Sequence, residues 1–273
     1  MPKVKLSKIE MNYEISGEGP PLVFMPGLYS SAVTSGLNAL RPYFDKSDKH
    51  YRIIIADSRG CGLSSKVDFD FSTEDMAEDW NELLEALKVK EAFIVGSSMG
   101  SMIAQYLAIN HPDKVKSLVL VDSIARASKY LVKTLDFWCL VLERFDYDDF
   151  SKLVNLMCLP WTLYEQYYDQ IDQLEKLAKE MLGNLPPFDH TAYKRQCKAI
   201  AMHDCMDKIH RVTAPTLVVS GDNDLICHAP LAEAMARMIP KAKFALVKDS
   251  GHGVALQKTE QLGEIILKFH DKV

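Results

Sequence analysis

The pentapeptide Gly96-Ser97-Ser98-Met99-Gly100 is the segment of this 273-residue chain best equipped for chemistry. It falls between a short apolar run, Ala92-Phe93-Ile94-Val95, and a stretch from Met99 to Asn110 that carries Met102, Ile103, Tyr106 and Leu107. A strand must therefore turn straight into a helix around Ser98. Such a turn strains the backbone of its middle residue and lifts that side chain clear of the sheet. Small residues two places either side avoid a clash. The helix behind would aim unpaired N–H groups and its positive dipole end at an anion formed there. The same five residues also suit a plain helix N-cap, with Ser97 or Ser98 as the capping side chain.

A serine hydroxyl attacks well only when a base takes its proton and a third group orients that base. His252 is the best base. It lies in Asp249-Ser250-Gly251-His252-Gly253, just after the last apolar run, where glycines let the loop carry an imidazole over a sheet edge. The orienting acid should close another strand, and Gly221-Asp222-Asn223-Asp224 follows Leu217-Val218-Val219. Asp224 is the first choice, because the chain can turn back toward the site before reaching it. Asp222 reads as a turn residue, and Asp122, at the end of another strand, is the rival acid. The order along the chain is then Ser98, Asp224, His252.

These residues need a sheet whose strand ends meet. Residues 3–16 alternate apolar and polar as a half-buried strand pair would, and Gly17, Gly19, Pro20 and Pro21 end it. Leu22 to Met25, Tyr51 to Ala56, Ala92 to Val95, Ser117 to Val121, Pro215 to Val219 and Phe244 to Val247 are strand-length, mostly apolar runs. Helical patterns separate many of them, among them Thr73 to Leu87, opened by a capping box at Ser72 or Thr73, Pro230 to Met238 and Thr259 to His270. Apolar strands alternating with amphipathic helices predict an α/β fold with a parallel sheet covered on both faces. From Asp122 to Arg211 the alternation stops. Leu131 to Leu142, Phe150 to Leu159 and Leu163 to Leu182 would be helices by pattern, broken by Pro160 and by Pro186-Pro187. The expected organisation is a core of residues 1–122 and 212–273 with a helical insertion at 123–211.

Composition agrees with a soluble globular chain, 48% hydrophobic and 25% charged. With 32 basic and 37 acidic residues the net charge is −5, which disfavours a nucleic-acid partner because neutralising phosphates needs a basic face. No apolar run approaches the roughly 20 residues of a membrane span. Met-Pro-Lys-Val-Lys-Leu-Ser-Lys at the start has charge but no apolar segment behind it, so no signal peptide is expected. The six cysteines never form Cys-x-x-Cys and read as reduced thiols of a cytoplasmic protein.

Other candidates read more simply. His203 and His210 are seven apart, with Cys205 nearby, but no complete ligand set accompanies them and no metal is expected. His228 reads as a helix-start or surface residue, and His50, His111, His190 and His270 as turn or surface residues. Asp146, Asp148 and Asp149 lack the glycine turn of a calcium loop. The aromatic residues Phe137, Trp138, Phe145, Trp161, Tyr164, Tyr167 and Tyr168 of the insertion are expected mostly to form its own core. A few of them would line an apolar pocket bearing some hydroxyls.

The four motifs together resemble the α/β-hydrolase family over nearly the whole chain. They are the elbow at 96–100, Asp57-x-Arg59-Gly60-x-Gly62-x-Ser64, Gly221-x-x-Asp224, and Gly251-His252. The resemblance implies a mostly parallel eight-stranded sheet with a helical cap inserted after the sixth strand. It also implies an oxyanion hole built from the backbone N–H of Met99 and that of Leu28, following Pro26-Gly27. The chain departs from the family in one place, with Met25-Pro26-Gly27-Leu28 where a His-Gly loop is common. The implied activity is a cofactor-free serine hydrolase, of the carboxylesterase or enol-lactonase kind, acting on a small acyl substrate. Carbon–carbon bond hydrolysis, perhydrolysis or haloperoxidation, acyl transfer and ligand reception remain alternatives, with a homodimer left open.

Overall fold

A computed structural model describes residues 2–45, 50–182 and 188–273. Eight strands form one sheet: β1 (Lys3–Lys5), β2 (Glu10–Ser16), β3 (Pro21–Met25), β4 (Arg52–Ala56), β5 (Ala92–Ser97), β6 (Val115–Val121), β7 (Thr216–Gly221) and β8 (Ala242–Val247). Their order is β1-β2-β4-β3-β5-β6-β7-β8. Only β1 with β2 and β2 with β4 pair antiparallel; every later pairing is parallel. The α/β class and the two-faced sheet are therefore as expected.

Alternate residues along each strand explain why the runs are apolar throughout. Val23, Met25, Ile54 and Ile94 enter one buried cluster, whereas Leu22, Phe24, Ile53, Ile55 and Phe93 enter a second on the opposite face. Helices cover both clusters. α1 (Arg41–Asp45), α9 (Val254–Gln257) and α10 (Thr259–His270) belong to one face, giving Phe44, Val254, Leu262 and Ile266 to its cluster. α2 (Thr73–Ala86), α3 (Met99–Asn110) and α8 (Ala229–Met238) belong to the other, giving Trp80, Ile103 and Met235. The short helices α1 and α9 carry too little periodicity to stand out in sequence. α2 starts at a full capping box, Ser72 accepting from Asp75 N–H and Asp75 accepting from Ser72 N–H.

Between β6 and β7 lie α4 (Lys129–Leu142), α5 (Tyr147–Cys158), α6 (Trp161–Leu182) and α7 (His190–Ala201). Pro160 separates α5 from α6, while the expected break at Pro186-Pro187 lies outside the described residues. Leu131, Leu135, Trp138, Phe150 and Tyr193 of these helices share the apolar cluster of α3, so the insertion sits directly on the sheet's helical layer.

The expectation that its named aromatics form mostly an internal core does not hold. Phe137, Phe145, Trp161, Tyr167 and Tyr168 are exposed, and of that set only Trp138 is buried. Short amphipathic helices laid over one cleft bury a single stripe each, so their other aromatics face solvent.

Candidate active site

β3, β5, β6, β7 and β8 all point their C-terminal ends at one edge, and every candidate residue sits just beyond them. Ser98 follows β5 with φ 53° and ψ −121°, a conformation that costs a non-glycine residue strain. Its side chain makes no capping bond, so the N-cap alternative is not what the hydroxyl does. The flanking glycines are required sterically. A Cβ at Gly96 would lie 2.7 Å from Ser101 N, and one at Gly100 would collide with the Met25 carbonyl. Ser101 braces the turn from beneath, its Oγ 2.7 Å from the Gly96 carbonyl and accepting from Val121 N–H at 3.0 Å.

Three distant side chains meet here. His252 Nε2 lies 2.9 Å from Ser98 Oγ, and His252 Nδ1 lies 2.9 Å from Asp224 Oδ2. The other Asp224 oxygen accepts the N–H groups of Ile226 and Cys227 at 2.8 and 2.7 Å. Burial opposes charge on Asp224, but the imidazole and these N–H bonds outweigh it and hold the carboxyl below the usual range. Burial likewise opposes charge on His252, and the Asp224 carboxylate, its hydrogen bond and Asp122 together raise the imidazole above its ordinary value.

The two other aspartates do different things. Asp222 stays in the turn, 3.4 Å from Ser250 N–H. Asp122 does not touch the imidazole directly but accepts the N–H groups of Gly253 and Val254 at 2.9 and 3.0 Å. The loop carrying His252 is held from its other side by Gln257, which accepts Gly251 N–H at 2.7 Å. Oxygens of Asp122 and Asp224 and a nitrogen of His252 lie within 4.8 Å of one another, but those of Asp224 are engaged by the imidazole and by backbone N–H groups.

Leu28 follows Gly27, and a Cβ at Gly27 would stand 3.3 Å from Ser98 Cβ, so this backbone passes close over the hydroxyl. Met99 opens α3, leaving its N–H among the first-turn donors that lack an intrahelical partner. The loop is fixed from above, where Gln196 of α7 accepts Tyr29 N–H at 2.8 Å and donates to the Arg59 carbonyl at 2.8 Å. Over Ser98 and His252 opens a cavity of about 440 Å³, walled by Leu131, Leu135, Trp138, Phe150 and Tyr193 of the inserted helices. Nothing in the sequence around Gln196 marks it, since glutamine is an ordinary helix former.

A family profile described as the alpha/beta hydrolase fold matches residues 20–259. The chain belongs to the α/β-hydrolase family. Among α/β-hydrolases it is 25% identical over 271 residues to a chain of Azorhizobium caulinodans ascribed carbamate hydrolase activity, RutD, covering 98% of each. It is 23% identical to 3-oxoadipate enol-lactonase 1 of Acinetobacter baylyi, covering 95% of this chain and 92% of that one. The enol-lactonase of Burkholderia xenovorans LB400 superposes with a TM-score of 0.85 at 21% identity, covering 99% of this chain and 100% of that one.

Within this α/β-hydrolase the remaining sequence candidates fall into structural roles. Arg59 and Asp79 form a buried two-pronged pair at 2.6 Å, and Asp57 accepts from Ala32 N–H, Leu63 N–H and Asn12. The 57–64 motif thus ties loops together. His203 is buried against Thr73 at 2.9 Å, its imidazole driven down to about 4 by burial, and it does not share a helix with His210. His270, expected at the surface, is fully buried, 4.5 Å from the Phe93 ring and 3.2 Å from Tyr51 Oη. It lies on the inward stripe of α10, which the residue type alone does not reveal. All six cysteines are free, and no described helix is long and apolar enough to cross a membrane.

Proposed function

We propose that this α/β-hydrolase is a serine hydrolase that cleaves small, uncharged carboxylic esters or lactones through an acyl-enzyme on Ser98. The observation that carries the reading is the continuous line Asp224–His252–Ser98, both links 2.9 Å, opening on a largely apolar cavity. His252 Nε2 takes the hydroxyl proton as Oγ attacks the carbonyl, and Asp224 keeps Nδ1 protonated and steadies the imidazolium. The N–H groups of Met99 and Leu28 receive the oxyanion. His252 returns the proton to the departing alkoxide, then activates the water that clears the acyl group. Residues 123–211 serve as the cap, and 1–122 with 212–273 as the core. The enol-lactonase name of a relative supports an acyl–oxygen bond as the one cleaved.

The cavity lining supports a neutral substrate. Among the described residues it includes Asp122 and His252 but no lysine or arginine. With His252 neutral, as the reaction requires, a substrate carboxylate would lie there beside Asp122 without a counter-ion, at a cost of several kcal/mol.

Ser98→Ala is expected to lower kcat on 4-nitrophenyl acetate by roughly 10⁴–10⁶-fold while the protein stays folded. Wild-type turnover in that variant would end the proposal. A 4-nitrophenyl hemisuccinate should lose about 100-fold or more in kcat/KM against the butyrate; equal rates would remove the neutral-substrate part alone.

A further inference from the structure

Asp122 occupies a position that no uncharged requirement explains. Its carboxyl is fully buried, its backbone is held at φ 52°, and its Oδ1 has no hydrogen-bond partner. Each of these costs stability. A second carboxyl, that of Asp224, lies close by, and oxygens of both carboxyls and a nitrogen of His252 fall within 4.8 Å of one another. An asparagine could accept the same two backbone N–H groups without a buried charge, so accepting them does not account for a carboxylate.

We propose that Asp122 is a positioning residue for His252, clamping the Gly253 and Val254 N–H groups that follow the imidazole and setting a second negative charge behind it. This rests on the reading of His252 as the base for Ser98. The clamp fixes the loop at the point where it re-enters helix α9, so the ring is held from Asp224 in front and from its own backbone behind. The charge favours the imidazolium that forms as Ser98 gives up its proton.

The groups that share this electrostatic environment are Asp224 after β7, His252 after β8, the Cys227 thiol before α8 and the Cys158 thiol at the end of α5. Burial pushes both thiols far up, so they stay neutral. Burial, and then the Asp224 charge, push Asp122 itself up to about 7, against the pull of His252 and the two N–H groups. Its charge is therefore present on the alkaline side, where His252 gives up its proton.

The test is the NMR titration of the His252 imidazole in the full chain, wild type against Asp122→Asn. The expected result is a fall in the His252 midpoint of about half a pH unit or more, the effect of a unit charge some 5 Å away even at the dielectric of water. An unchanged midpoint overturns the charge. Asp122→Ala removes the clamp as well, and should lose about 10-fold or more in kcat on 4-nitrophenyl acetate, most of it recovered in Asp122→Asn. If alanine matches wild type, the clamp is overturned. Should alanine not fold, the asparagine titration still decides. Ser98→Ala in the same assay judges the serine-hydrolase reading separately, because the NMR midpoint requires no turnover.

Discussion

Gln196 Oε1 accepts the backbone N–H of Tyr29 at 2.8 Å, across 167 positions of sequence. The loop proposed to hold the oxyanion is thereby fastened to an inserted helix, while the same amide donates to the Arg59 carbonyl. Inserted helices and the loop after β3 are one mechanical unit at this point. Gln196→Leu should lower kcat by about 10- to 100-fold, because a loosened Leu28 N–H no longer stands ready for the oxyanion. It should also cost about 1–3 kcal/mol of stability for the buried N–H and carbonyl left unpaired. Unaltered kcat in a variant with a lowered melting temperature would assign the contact to stability alone.

Gly100 packs its Cα against the Met25 and Pro26 carbonyls, leaving no room for a methyl group. Gly100→Ala is expected to cost about 3 kcal/mol or more, or to displace the elbow and with it Ser98. Chemical denaturation and labelling of Ser98 with a fluorophosphonate read the two effects separately. A variant as stable and as readily labelled as wild type contradicts the packing described.

The pH dependence follows from the direction of three shifts. The proposed hydrolysis needs neutral His252, and its raised value places the expected rise of kcat/KM on the alkaline side of the ordinary imidazole value near 6.5. Asp224→Asn should bring that rise to lower pH and cut kcat by about 10⁴-fold. For stability, His252 is raised, so its contribution is present below about 6.5 and lost as pH climbs through the raised value. Asp122 is raised as well, so its part is lost as pH climbs from about 4 toward 7. Asp224 is lowered, and its contribution disappears only as pH falls through its depressed value. The melting temperature should therefore decline from about pH 5 to 9 from this cluster, less steeply in Asp122→Asn. Identical slopes in the two proteins would contradict the assignment.

Arg59 and Asp79 are buried partners at 2.6 Å, with side chains 1% and 4% exposed. Burial pushes the Asp79 carboxyl up more strongly than the guanidinium pulls it down. Arg59→Ala should destabilise by about 3–5 kcal/mol through the unpaired carboxylate, and replacing both by apolar residues should recover much of that. Denaturant midpoints of the single and double variants check the claim, and equal losses in both would refute it.

Much of this molecule was readable along the chain because the signals are local. A strand buried on both faces must be apolar at every position, and a surface helix must be apolar at every third or fourth, so β3 through β7 and α2, α3 and α10 announce themselves. The Gly96–Gly100 turn was legible for the same reason, as only small residues fit where a strand becomes a helix. Those local signals determined the fold class and brought Ser98, His252 and a short list of aspartates into view.

The tertiary structure decided what depends on contacts between residues far apart in sequence. Asp224 rather than Asp122 meets the imidazole because the turn after β7 reaches the loop after β8, while Asp122 reaches the backbone behind it. Gln196 holds the Tyr29 loop because α7 folds down over β3's end, and His270 is buried because α10 turns that side toward Phe93. Residue type and spacing limit which groups can do chemistry. Which atoms lie within hydrogen-bond reach is set by how the strand ends converge, and no local pattern encodes that distance.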